Sequence, residues 1–272
     1  VLDLITSLGT DYLQPIKHLT IQKTLPMYTV LVIGSAGAGK TTFCLNLYDH
    51  LSTHNHNPTL INLDPSQQSN NTYHHDICTY ITTQNVMEAT DLGPNSSILK
   101  AFATMADHLE NVEIEGYCVV DMPGQIEIFV HSESFLKTIA YFKGQGRCVI
   151  VNVFDFINFK SVERFLGNGV SMCMCVGRVE LPFINLVSKC DLFLKDENDE
   201  DNLSEDDEDL CFDQLLLRTK FHKDLYQFLE HNSVLNFTRI RYTEEGMTDV
   251  IYMLDSVLHY YDDLDYVEPR EE

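Results

Sequence analysis

The apolar run Tyr28-Thr29-Val30-Leu31-Val32-Ile33 leads straight into Gly34-Ser35-Ala36-Gly37-Ala38-Gly39-Lys40-Thr41, and that octapeptide constrains the chain more than any other stretch. It satisfies G-x-x-x-x-G-K-[ST] in full, with a strand-like run before it and a helix-like run after it, the context in which the pattern has a mechanical meaning. Glycines let consecutive backbone N–H groups turn inward around a phosphate, and the helix that follows offers its positive N-terminus. Gly37, Ala38, Gly39, Lys40, Thr41 and Thr42 are therefore the expected phosphate-binding residues. In such a loop the lysine reaches the β- and γ-phosphate oxygens, and the Thr41 hydroxyl holds Mg²⁺.

The rest of the chain alternates. Strand-like runs fall at 28–33, 59–63, 117–122, 148–154, 183–187 and 237–242, and helix-length amphipathic segments at 40–54, 97–110, 126–143, 158–176, 212–231 and 247–262. Nearly continuous apolar strands separated by helices imply a mainly parallel sheet covered on both faces. Right-handed crossovers make that a doubly wound, three-layer α/β domain, with ligands beyond the carboxyl ends of the strands. One such domain is expected over 27–265, with an acidic loop insert at 195–210 and a short C-terminal tail at 266–272. Residues 1–26, with weak periodicity and no methionine before Met27, are expected to be a disordered tail or a frame extension.

Composition narrows the function classes. The formal net charge is −23, which argues against direct nucleic-acid binding as a main role. Much of that charge is local, since Asp196 to Asp209 carries ten acids and no base. The eight cysteines form no C-x-x-C pair and several lie in apolar runs, as small core residues in a reducing, cytosolic compartment do. No apolar run approaches the length of a membrane-spanning helix, and the start lacks the basic and apolar regions of a secretory signal. A soluble cytoplasmic protein without membrane contact is expected.

Two further strand ends carry chemistry. Val119-Val120-Asp121-Met122-Pro123-Gly124-Gln125 is D-x-x-G after a strand. Asp121 can hold a water on Mg²⁺, and the Gly124 N–H can donate to the γ-phosphate, a bond that disappears on hydrolysis. The fifth strand ends in Ser188-Lys189-Cys190-Asp191, which resembles the guanine signature N-K-x-D with serine for asparagine. A carboxylate at Asp191 accepts from guanine N1–H and the 2-amino group, a pairing adenine does not offer. The aliphatic stem of Lys189 can lie along the base.

With Leu63-Asp64-Pro65 before it and Asp121-Met122-Pro123-Gly124-Gln125-Ile126-Glu127 after it, the segment Asp91-Leu92-Gly93-Pro94-Asn95 makes the chain resemble the GPN-loop GTPases over residues 27–269. The ending Asp263-Leu264-Asp265-Tyr266-Val267-Glu268-Pro269-Arg270 is most similar to the GPN-loop GTPase 3 subgroup. The resemblance implies a P-loop NTPase of SIMIBI-like arrangement, using GTP/GDP and Mg²⁺ and working as a dimer, with a sister paralogue or with itself. It implies that the loop Gly93-Pro94-Asn95 reaches into the partner's site, where Asn95 stabilises the transferring phosphoryl group. It places Asp64 and Gln125 as alternatives for positioning the attacking water, with Glu127 a further candidate. It also implies a role in assembly and nuclear import of RNA polymerase II, with polymerase subunits or assembly factors as partners and shuttling between cytoplasm and nucleus. Ser66 stands where the family usually has alanine, and Ser96-Ser97 where it usually has Gly-Gly; those serines can cap the next helix. A structural scaffold that holds GTP with negligible turnover is the alternative reading. A kinase on the same loop would need arginine-rich lids, and the few arginines here do not cluster.

Overall fold

Every residue of β1 (Met27–Ile33) is buried, as a strand covered on both faces must be. Leu31 and Ile33 pack into one apolar layer, while Tyr28, Val30 and Val32 pack into another on the opposite face. The computed structural model describes residues 26–54, 56–68, 71–192 and 218–267. The acidic insert, the tail beyond Val267 and the leader before Pro26 lie outside the described residues.

After β1 come α1 (Lys40–Thr53) and β2 (Pro58–Asn62), then the two-residue β3 (His75–Asp76), α2 (Thr83–Ala89) and α3 (Pro94–Ala106). β4 (Tyr117–Asp121) is followed by α4 (Ile126–His131) and α5 (Glu133–Gln145), and β5 (Gly146–Asp155) by α6 (Val162–Val179). β6 (Phe183–Ser188), α7 (Lys220–His231), β7 (Phe237–Arg239), α8 (Glu244–Leu258) and α9 (Tyr260–Val267) complete the described chain. The sheet has seven strands in the order β3-β2-β4-β1-β5-β6-β7. All its pairings are parallel, giving the doubly wound P-loop NTPase α/β fold. Phe43, Leu47 and Leu51 of α1 and Met247, Ile251 and Leu254 of α8 cover one face. Phe102 of α3, Phe135, Ile139 and Phe142 of α5 and Met172 and Cys175 of α6 cover the other.

Several boundaries differ from the sequence expectation for local reasons. The segment 126–143 is two helices, because the Ser132 hydroxyl accepts from the N–H groups of Ser134 and Phe135 and starts α5 afresh. α3 begins at Pro94 rather than near 97, with Gly93 as its N-cap and proline at the first helical position, where its missing N–H costs nothing. Ser96 and Ser97 therefore lie inside the helix and do not cap it. α8 stops at His259, whose φ of 54° is left-handed, so the expected helix over 247–262 is broken before α9. β3 and α2 had not been expected. α2 opens with a reciprocal Thr82–Asn85 cap, a capping box with asparagine in the place of glutamate or glutamine.

Candidate functional site

Register carries the chemistry to one edge. Val32 pairs with Asp121 across β1 and β4, and Asp155 with Ser188 across β5 and β6, so their following loops emerge together at the carboxyl ends of the strands. The loop after β1 needs its glycines. Gly34 has φ +143°, and a Cβ there would run into the Val153 carbonyl of β5; Gly39, at φ +95°, forms the left-handed N-cap of α1.

Lys40 is the first residue of α1 and is buried, its ammonium donating to the Ser35 carbonyl at 3.2 Å. Burial lowers its pKa, while the Asp121 and Asp64 carboxylates pull the other way. A Cβ on Gly124 would stand 2.7 Å from Lys40 Nζ and 2.8 Å from Ala36 Cα, so the D-x-P-G turn lies directly against the phosphate loop. Only glycine leaves that approach open. Thr42 sits exposed on the first turn of α1.

Thr41 donates to Asp121 Oδ2 at 2.7 Å. Asp121 is fully buried, and its other oxygen, Oδ1, has no hydrogen-bond partner among the described residues. Burial raises its pKa, opposed by the hydrogen bonds from Gln67 and Thr41. A hydroxyl beside a carboxylate with an unmatched oxygen is a hard-oxygen pair of the kind that suits Mg²⁺. Two residues that no motif announces complete this corner. Gln67 Nε2 reaches Asp121 Oδ2 at 2.8 Å and Thr41 Oγ1 at 3.0 Å, and the Tyr73 hydroxyl lies 3.1 Å from the same carboxylate oxygen.

Asp64, just past β2, is also buried, with Oδ1 accepting from both the N–H and the hydroxyl of Ser66. Gln125 Nε2 donates to Asn95 Oδ1 at 3.2 Å. Both residues line a cleft of about 360 Å³ together with Gly34, Ser35, Ala36, Gly124 and Glu127. Gly93 and Pro94 put Asn95 at the second position of α3, exposed at the mouth of that cleft.

On the other side of the phosphate loop, Ser188 donates to the Ala38 carbonyl at 2.6 Å. Lys189 takes φ 60°, and its ammonium donates to the Gly37 carbonyl and, at 2.7 Å, to Asp155 Oδ2. Asp155 was not foreseen; it ends β5 beside Ser188. Cys190 and Asp191 form a 3₁₀ turn next, with Cys190 half-buried and Asp191 exposed. Burial raises the Cys190 thiol. The structure therefore brings together the phosphate loop, Asp64, Asp121, Gly124, Gln125, Asn95 and the Ser188–Asp191 loop.

Fold and site together define a P-loop nucleotide-binding protein of the parallel α/β class. A sequence family described as a conserved hypothetical ATP binding protein matches residues 32–260. The chain is 29% identical to GPN-loop GTPase 3 of Mycosarcoma maydis over 90% of its own length and 96% of that protein. It is 30% identical to GPN-loop GTPase 3 of Kluyveromyces lactis over 72% of its own length and 74% of that protein. Among solved structures, a GTPase in apo form from Pyrococcus abyssi superposes with a TM-score of 0.64 at 20% identity, covering 85% of this chain and 97% of that one. The chain belongs to the GPN-loop GTPase family.

Proposed function

We propose that the chain binds guanine nucleotide with Mg²⁺ and hydrolyses the terminal phosphoanhydride of GTP. The observation that carries this reading is the Thr41–Asp121 pair at the foot of a complete phosphate loop, with an unmatched carboxylate oxygen beside a buried lysine. Family membership supports it from a separate direction. Water attacks the γ-phosphorus, the bond to the bridging oxygen breaks, and GDP and inorganic phosphate leave. Lys40, the loop N–H groups and Gly124 N–H would meet the charge that develops on the phosphate oxygens. Mg²⁺ held by Thr41 and Asp121 would neutralise part of it. Asp64 or Gln125 would orient the water.

Asp191 decides the base. GDP, ADP and xanthosine diphosphate affinities, measured on the protein and on Asp191→Asn, test this. The expected result is a preference for GDP that falls by at least about a hundredfold in the variant, with xanthosine diphosphate gaining, because asparagine can donate to the xanthine 2-oxo group. An unchanged preference, or tighter ADP binding, would refute guanine selection.

A dimer follows from the same reading. Residues Asp91 to Ser96 are all exposed, with Leu92 39% accessible, and the apolar Ile126, which lines the cleft, is 38% accessible. That surface suits a second GPN-loop subunit, itself or a sister paralogue, to whose site Asn95 would contribute. The wider role in assembly and import of RNA polymerase II, in a cytoplasmic protein that shuttles to the nucleus, is the one the resemblance implies. Mass spectrometry of proteins that co-purify with the native chain tests it, and polymerase subunits absent from that set would count against it.

A further inference from the structure

Gln67 stands three residues beyond Asp64, on the loop between β2 and β3, and its side chain turns back into the phosphate site. Its amide nitrogen lies 3.0 Å from Thr41 Oγ1 and 2.8 Å from Asp121 Oδ2, so one NH₂ group joins the two residues that suit the cation. The Tyr73 hydroxyl shares its one proton between Gln67 Oε1 at 3.2 Å and Asp121 Oδ2 at 3.1 Å, keeping the amide oxygen on the tyrosine side. Only the NH₂ side can face an ionised carboxylate, so the orientation follows from the partners. The backbone is tied as well: Gln67 N–H donates to the Asp64 carbonyl at 3.4 Å, and the Gln67 carbonyl accepts from Cys78 Sγ at 3.3 Å.

We propose that Gln67 is a positioning residue that competes with the divalent cation, its amide holding Thr41 and Asp121 together until Mg²⁺ displaces it. A donor on Thr41 Oγ1 takes a lone pair that a hard cation must also use, and its bond to Asp121 Oδ2 pins the carboxylate whose other oxygen, Oδ1, is the unmatched one. Nothing in the phosphate-loop chemistry requires such a donor. Its consequence is a raised Mg²⁺ requirement for tight nucleotide binding, coupled through the short loop to the position of Asp64. The inference rests on the guanine-nucleotide and magnesium reading above.

The test is the affinity of a fluorescent GDP analogue measured against free Mg²⁺, on the protein, on Gln67→Ala and on Gln67→Met, which keeps the side-chain length without the donors. Removing a hydrogen bond to a charged group predicts that the half-saturating Mg²⁺ falls by roughly tenfold in both variants, with the plateau affinity retained. A merely structural role would lower the plateau and leave the half-point in place. An unmoved or raised half-point in a folded variant overturns the competition while leaving the site reading intact. Failure of the unsubstituted protein to bind guanine nucleotide at saturating Mg²⁺ overturns the site reading itself, and this inference with it.

Discussion

Gln125 donates its side-chain amide to Asn95 Oδ1 at 3.2 Å, joining the D-x-P-G turn to the Gly-Pro-Asn loop across the mouth of the phosphate cleft. The contact uses the Asn95 oxygen and leaves its NH₂ group available as a donor, the role proposed for it toward phosphate. Removing one preorganised donor to developing charge costs about 10²–10³ in turnover. Asn95→Ala is therefore expected to lower kcat by about a hundredfold while leaving GDP affinity within about twofold. Mixing Asn95→Ala with Lys40→Ala chains refines the outcome. If Asn95 acts across a dimer, the mixed dimer assembles one intact site and regains turnover; mixtures as inactive as either parent would assign Asn95 to its own chain.

Gly124 predicts a separable defect. A methyl group there would meet Lys40 Nζ and the Ala36 backbone at 2.7 and 2.8 Å, and the backbone side of that contact has no flexible end that can move away. Gly124→Ala should fold, since the turn itself has no left-handed φ, but it should hold the turn off the phosphate loop. Overpacking of this kind costs about 1–3 kcal/mol, so GTP should lose roughly tenfold or more in affinity relative to GDP. Equal losses for the two nucleotides would show that Gly124 does not sense the γ-phosphate.

The phosphate loop, Asp121–Gly124 and Ser188–Asp191 were legible because each is a contiguous motif after an apolar strand. Gln67, Tyr73 and Asp155 were not. Gln67 is 54 residues from Asp121 and Tyr73 is 48, and only the return of the β2–β3 loop over the sheet edge brings them there. Asp155 joins the site through the neighbouring of β5 and β6, and strand order is not written in a local pattern. The helix start at Pro94 was missed, although Gly-Pro is an N-terminal signal in its own right. There the pair of serines after Asn95 offered a competing cap, and proline at the first helical position prevailed.

Ser188 shows how a departure from a motif keeps half of its role. Its hydroxyl donates to the Ala38 carbonyl at 2.6 Å, so serine still ties the base loop to the phosphate loop, and its short side chain gives up the reach toward the base that asparagine has. Ser188→Ala removes the donor from a buried carbonyl and should lower stability by about 1–3 kcal/mol in denaturant unfolding, with nucleotide affinity falling alongside. Ser188→Asn should retain the tie and gain guanine affinity. A loss of affinity in Ser188→Asn would mean that the loop is too close to admit the longer side chain.

α9 is held to the sheet by charge as well as by stacking. Arg147 on β5 donates to both oxygens of Asp263, from Nε at 2.8 Å and from its terminal nitrogen at 3.1 Å, and Tyr28 OH donates to Oδ2 at 3.1 Å. Tyr260 of the same helix stacks on His56 at 4.6 Å. The Arg147 hydrogen bond holds the Asp263 carboxyl below the usual 3.8, and burial opposes it. A carboxyl whose folded pKa is depressed contributes stability above its unfolded pKa, and that contribution is lost as pH falls through the folded value. The contribution is therefore present at neutral pH and disappears only in acid, below the ordinary carboxylate range. A bidentate but partly exposed pair is worth roughly 1 kcal/mol. Asp263→Asn should lower the neutral-pH Tm by a few degrees and narrow its distance from the unsubstituted protein as pH is taken from about 7 to about 2.5. Thermal melts of both proteins across that range check it, and parallel Tm–pH curves would show that the Arg147–Asp263 pair carries no pH-dependent stability.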